Sequence, residues 1–117
     1  MKQIFIVEDS KDYQFLLETI LVEEGYSVEC ASNGLEALDK LRARPNNPCM
    51  IFLDIMMPVM DGFQFREQQK NDPQLANIPI VVMTAHADLL AKQIEAREII
   101  RKPSDIQVFL RAAQAYC

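Results

Sequence analysis

Cys49-Met50-Ile51-Phe52-Leu53-Asp54-Ile55-Met56-Met57-Pro58 is the stretch that decides the fold. Residues 49–53 are apolar without a break, a single carboxylate follows at Asp54, and three more apolar residues end at Pro58. Turn formers bound the run, with Pro45, Asn46, Asn47 and Pro48 before it and Pro58 after it. A short continuous apolar run between turn signals reads as a strand buried on both faces, as in a parallel sheet covered by helices. Asp54 then stands at or just past the end of a central strand, where a charge is costly unless something compensates it.

Two other runs have the same character. Gln3-Ile4-Phe5-Ile6-Val7 ends in Glu8-Asp9, and Ile80-Val81-Val82-Met83 ends in Thr84. Tyr26-Ser27-Val28-Glu29-Cys30 alternates apolar and polar residues, and Glu98-Ile99-Ile100-Arg101 is short and mixed; both suit sheet edges. Helical patterns separate the strands. Ser10 caps a helix with Tyr13, Leu16, Leu17, Ile20 and Leu21 on one face, with Gly25 beyond its end. Asn33 with Glu36 opens a helix with Leu35, Leu38 and Leu41 inward. Asp61 starts a third helix, running to Lys70. Asp88 to Ala96 reads as a short fourth. Ser104 with Gln107 makes a capping box for a fifth, with Ile106, Phe109, Leu110 and Ala113 inward.

Five strands alternating with five helices predict an α/β, flavodoxin-like, doubly wound parallel sheet. Three buried strands and two edges fit the strand order 2-1-3-4-5. At 117 residues, residues 1–117 form a single domain with one core. The formal net charge of −5 argues against a nucleic-acid surface. No signal-peptide pattern opens the sequence and no apolar run approaches the roughly 20 residues needed to cross a bilayer, so the expectation is a cytoplasmic protein that is not in a membrane. Cys30, Cys49 and Cys117 include no CxxC pair. Cys30 and Cys49 lie in apolar runs, and the reading is reduced, buried thiols.

In this topology the site lies beyond the carboxyl ends of the strands, at the switch point. Glu8 and Asp9 end the first strand, Asp54 the third, Thr84 the fourth, and Lys102 the fifth. Three carboxylates in one small pocket call for a hard divalent cation such as Mg²⁺. Lys102 adds a mobile positive charge. Asp54 could then act as a nucleophile toward a phosphoryl group, with Thr84 hydrogen-bonded to one of its oxygens and Ala85 leaving room for entry. Glu8 and Asp9 also complement the dipole of the helix that follows. His86 reads as an exposed loop residue, and the methionines near Asp54 as packing.

At Ile4–Ser10 (IFIVEDS), Ile51–Gly62 (IFLDIMMPVMDG), Ile78–Ala85 (IPIVVMTA) and Arg101–Pro103 (RKP) the chain resembles the response-regulator receiver domain of two-component signalling, in its stand-alone form. The resemblance implies that Asp54 is the phospho-acceptor and Asp9 a direct Mg²⁺ ligand, with Mn²⁺ able to substitute. It implies that Glu8 acts on the metal largely through water and that Met56 gives its backbone carbonyl. Thr84 and Lys102 would contact the phosphoryl group, and the Lys102–Pro103 peptide would be cis. The implied donor is a histidine of a sensor histidine kinase or a histidine phosphotransfer protein. The output is an unnamed downstream protein, reached by a monomer or weak dimer. Such a protein is a regulator and not an enzyme, although it promotes its own aspartyl phosphorylation and dephosphorylation.

Three positions depart from the family pattern. Ile99 stands where an aromatic is usual, three residues before the lysine. The span from Thr84 to Lys102 is shorter by roughly one helical turn, which predicts a non-standard signalling face. Val59 replaces a common glycine, for which a local change of loop conformation is expected. The alternative function is a receiver-like docking module that acts without phosphorylation. A flavodoxin-like electron carrier would need a phosphate-cradling loop where Glu8-Asp9 stand. An aspartyl phosphatase would carry a second acid where Met56 stands.

Overall fold

The computed structural model describes residues 2–85 and 89–117. β1 (Gln3–Val7), β2 (Ser27–Ala31), β3 (Met50–Asp54), β4 (Ile80–Thr84) and β5 (Glu98–Arg101) form one parallel sheet in the order β2-β1-β3-β4-β5. α1 (Lys11–Glu23), α2 (Gly34–Ala43), α3 (Gly62–Lys70), the single turn α4 (Leu89–Lys92) and α5 (Ile106–Tyr116) connect the strands. The central strands β3 and β4 are buried along their whole length, while β2 and β5 are partly open edges. The flavodoxin-like arrangement is therefore as the sequence predicts.

Side chains alternate across a strand, and the alternation splits the core into two layers. Phe5, Val7, Ile51, Leu53, Ile80 and Val82 face Ala37, Leu38 and Leu41 of α2 and Phe65 of α3. Ile4, Ile6, Met50, Phe52, Val81, Met83 and Ile100 face Leu17, Ile20 and Leu21 of α1 and Phe109, Ala112 and Ala113 of α5. Phe109 meets Phe52 and Tyr13 edge-on, at centroid distances of 5.8 and 6.2 Å.

The structure corrects several local expectations. Leu16, Leu35 and Ile106, all expected to face inward, are exposed, at 44%, 46% and 43%. The inward stripe of α2 is Gly34, Ala37, Leu38 and Leu41, which leaves Leu35 about a quarter-turn off it. On α1 the polar Gln14 takes an inward place and Leu16 does not. α5 is capped by Asp105, whose carboxylate accepts from the Gln107 amide at 3.1 Å, so Ser104 and Gln107 form no capping box. Ser104 instead donates its hydroxyl to the Arg101 carbonyl.

Four helices of nine residues or more are present among the described residues, against five expected. The fourth shrinks to one turn. It is closed by the tight contacts Ile94 N to Ala91 O and Glu95 N to Lys92 O, both 3.2 Å, and by Glu95 in the left-handed region at φ 58°. Such a residue ends a helix by turning the chain out of it, and Arg97 N already bonds Ile80 O at 2.8 Å to begin β5. The expected start of this helix at Asp88, and His86, lie outside the described residues.

The reading of Cys30 and Cys49 as reduced, buried thiols is overturned at Cys49, which is bonded to Cys117. The two form a disulfide between the residue before β3 and the residue after α5, with Cα atoms 5.2 Å apart. Their separation of 68 residues hides the pairing, because only the packing of α5 across the sheet brings them together. Cys30 is a free, half-buried thiol on edge strand β2. No helix among the described residues is long and apolar enough to cross a membrane.

Candidate functional site

The two-residue period of the strands builds the site. On β1 the residues facing α1 and α5 are Ile4 and Ile6, so Glu8 follows on that side. On β3 they are Met50 and Phe52, so Asp54 follows, and on β5 Ile100 is followed by Lys102. Val7 pairs with Leu53, which makes Glu8 and Asp54 lateral neighbours one step beyond the ladder. Thr84 has the parity of Ile80 and Val82 and so approaches from the opposite layer. The Lys102 amide bonds Thr84 O at 2.7 Å and extends the β4–β5 ladder to the lysine.

The outcome is a charge cluster that is buried at Glu8 and Asp54 and open to solvent at Asp9. Glu8 is 1% exposed and Asp54 5%. Carboxylate oxygens of Glu8, Asp9 and Asp54 lie within 4.8 Å of one another. Lys102 Nζ lies 2.5 Å from Glu8 and 3.6 Å from Asp54. Burial, then the Glu8 charge, push the Asp54 carboxyl up to about 7, with Lys102 opposing and Asp9 adding to the rise. A single ammonium thus leaves the trio under-neutralised. A set of hard oxygen donors with excess negative charge, one of them held partly protonated, is the donor chemistry that suits Mg²⁺ or Mn²⁺. Asp54, Met56, Thr84, Ala85 and Lys102 line a cleft of about 300 Å³ open to that cluster.

The loop after β3 holds Asp54 in place. Asp61 caps α3 and exchanges hydrogen bonds with Gln64 at 2.9 and 3.0 Å, a capping box. Gly62 N bonds Ile55 O at 2.7 Å, and a Cβ at Gly62 would sit 2.7 Å from the Asp54 carbonyl oxygen. Only glycine lets α3 begin so close to the strand end. Val59, in the same loop, has a left-handed backbone at φ 70°. The Lys102–Pro103 peptide is cis.

Residues 4–114 match the response regulator receiver domain family. This chain belongs to that family. It is 31% identical to the polar-differentiation response regulator DivK of Brucella anthropi, over 98% of this chain and 95% of DivK. It is 30% identical to protein PilH of Pseudomonas aeruginosa, over 98% and 97% of the two chains. A CpxR homolog of Haemophilus influenzae is 34% identical over 88% of this chain, which spans 44% of that transcriptional regulatory protein. Among solved structures, Vibrio cholerae chemotaxis protein CheY4 superposes with a TM-score of 0.90 at 29% identity, covering 100% of this chain and 99% of the other. Response regulator TrrA of Thermotoga maritima, solved with Mg²⁺ and BeF, gives 0.86 at 28% identity with both chains fully covered. Receiver domains are parts of two-component signalling and act as regulators.

Sequence reading missed two members of this receiver domain's site. Lys102 Nζ lies 4.6 Å from the centroid of the Tyr13 ring, a cation–π contact that steadies the ammonium over the cluster. Burial, then the charges of Glu8 and Asp54, push the Tyr13 hydroxyl up from its ordinary value. Gln14 Nε2 donates to the Glu8 carbonyl and reaches Ala31 O at 3.4 Å and Ser32 Oγ at 3.3 Å. It fixes the turn that presents Glu8 and Asp9. The available signal was a glutamine at an inward position of α1, three residues before Leu17 and seven before Leu21.

Proposed function

We propose that this receiver domain is a phosphorylation-controlled switch that accepts a phosphoryl group on Asp54 from a histidine of a sensor kinase or phosphotransfer protein and then binds a downstream protein differently. The observation that carries the reading is the trio of buried Glu8 and Asp54 with exposed Asp9, and Lys102 within reach of the two buried members. Glu8, Asp9, Asp54 and the Met56 carbonyl would hold Mg²⁺ or Mn²⁺. When bound, the cation supplies positive charge that neutralises the trio and the phosphoryl oxygens.

Asp54 would supply the attacking carboxylate oxygen, forming the O–P bond as the donor's N–P bond breaks and the electron pair returns to the imidazole. Lys102 would turn from Glu8 to the phosphoryl oxygens, a short move for a flexible ammonium already 3.6 Å from Asp54. Thr84, from the other side of the cleft, would donate its hydroxyl to a further oxygen. The same residues would promote hydrolysis of the aspartyl phosphate. The proposal includes residues 1–117 as a single receiver domain, a cytoplasmic setting, and a monomer or weak dimer as the acting form.

Incubation with Mg²⁺ and acetyl phosphate, followed by intact mass measurement, should add one phosphoryl group to the wild type and none to Asp54→Asn. Partner capture from extract should differ between the beryllofluoride-treated and untreated protein. No phosphorylation, or equal capture in both states, would leave the docking module that ignores phosphorylation as the better reading.

A further inference from the structure

At the end of the sheet away from Asp54, a second cleft of about 460 Å³ opens between the starts of β1, β2 and β3. Its charged lining residues are Lys2 and Arg44, with amide side chains at Asn46 and Asn47 and the sulfur-bearing Cys49 in the wall. No acidic side chain is among its described lining residues, although the chain as a whole carries a formal charge of −5. Arg44 Nη1 is buried without a hydrogen-bond partner; its nearest acid, Glu29, is 3.8 Å away. Lys2 Nζ donates to the carbonyl of Cys117. The cations therefore stand beside the Cys49–Cys117 pair.

We propose that Cys49–Cys117 is a thiol–disulfide exchange site served by an anionic low-molecular-weight disulfide of the glutathione type, drawn in by Lys2 and Arg44. Both redox states fit the site. Oxidised, the pair links residues whose Cα atoms are 5.2 Å apart, within the range a disulfide spans. In the disulfide-bonded structure the Gln3 carbonyl oxygen lies 3.0 Å from Cys49 Sγ, so a thiol formed there on reduction would have an acceptor beside it. The open cleft gives a small molecule access to Cys49, and both cysteines are only partly covered. Cys30 is a poor competitor, since burial pushes its thiol up to about 11.

The exchange balances in two steps. The Cys49 thiolate attacks one sulfur of glutathione disulfide, forms a mixed disulfide and expels one glutathione thiolate. The Cys117 thiolate then attacks Cys49 Sγ, closes the protein disulfide and expels the second glutathione. The two protons released by the protein thiols go to the two glutathione thiolates. The protein loses two electrons and the small disulfide gains two. Closure ties the end of α5 to the start of the strand that carries Asp54.

The test starts with fully reduced protein, mixed separately with glutathione disulfide and with the cationic disulfide cystamine. Samples are acid-quenched, alkylated and mapped by peptide mass. The expected result is a Cys49–Cys117 peptide, with Cys30 alkylated. Arg44→Gln should slow the glutathione reaction by about tenfold, within the range of charge steering, and leave the cystamine rate unchanged or faster. Thermal melts should show reductant lowering the Tm of wild type by about 10 °C and leaving Cys117→Ser unmoved. Failure of the Cys49–Cys117 peptide to form, glutathione adducts at Cys30 instead, or equal slowing of both disulfides in Arg44→Gln would each overturn the proposal. The assay uses no Mg²⁺ or phosphoryl donor, so its outcome is independent of phosphorylation at Asp54.

Discussion

Asp54→Asn should stabilise the metal-free protein at neutral and alkaline pH while abolishing phosphorylation. Asparagine keeps the shape of the side chain and removes one charge from a cluster that Lys102 alone balances incompletely. The Asp54 carboxyl is pushed from 3.8 up to about 7 by burial and then by Glu8. A raised folded-state value means that the unfolded chain gives up this proton first. Stability from this group is fully present below about pH 4 and is lost as pH rises through 7. The difference of about 3 pH units corresponds to about 4 kcal/mol at full ionisation, of which about 2 to 3 kcal/mol falls between pH 5 and 8.

The assay is urea unfolding in EDTA at several pH values, with and without excess Mg²⁺. Wild type should lose stability relative to Asp54→Asn across pH 5 to 8 by that amount. Mg²⁺ at about 100 times its Kd should then return about 2.7 kcal/mol to the wild type, and much less to Asp54→Asn. Parallel pH curves for the two proteins in EDTA, or equal stabilisation of both by Mg²⁺, would refute the view that uncompensated charge at Asp54 is what the cation relieves.

Three further substitutions probe the scaffold. Gly62→Ala would place a methyl 2.7 Å from the Asp54 carbonyl oxygen and 2.8 Å from Ile55 Cα; urea melts should show a loss of about 1–3 kcal/mol, with slower phosphorylation by acetyl phosphate. Val59→Gly relieves a β-branched residue held at φ 70°. The relief of about 1–2 kcal/mol is offset by about 0.5–1 kcal/mol of glycine entropy, so unfolding midpoints should rise slightly or hold. Arg66 donates to Ile94 O at 2.9 Å and to Gln69 Oε1 at 2.8 Å, while buried Gln69 holds Leu75 O and Ile78 O. Arg66→Ala should cost about 1–3 kcal/mol and speed hydrogen exchange in peptides covering α4 and β5.

Strand order and the carboxyl-end cluster were legible because both follow from short-range signals. Continuous apolar runs mark the buried strands β1, β3 and β4, and mixed runs mark the edges β2 and β5. What failed depends on distances that sequence spacing does not carry. Leu16 and Leu35 lie beside the inward stripes of α1 and α2, where being leucine is not enough to be buried. The inward Gln14 and Gln69 look like errors in an apolar pattern until the carbonyls they bond are in place. Cys117 meets Cys49 only through the way α5 crosses β3.

The alternation that builds the site also divides its surroundings. Asp54, Glu8 and Lys102 belong to the layer of α1 and α5, and through Lys102 they touch Tyr13, whose ring leans on Phe109. Thr84 belongs to the other layer, where Ile99, paired with Val82, packs near Ile94 and Ala96. An aliphatic residue at 99 has no ring to turn into or out of that layer. The aromatic next to the acid cluster is on the opposite face of the sheet. Attraction between a cation and a ring weakens quickly as the two separate, and Lys102 Nζ sits 4.6 Å from the Tyr13 centroid while 3.6 Å from Asp54. New negative charge at Asp54 that shifts the ammonium would change its contact with Tyr13, because one Nζ serves both groups. Such a change would be felt on α1 and α5, which carry Tyr13 and Phe109.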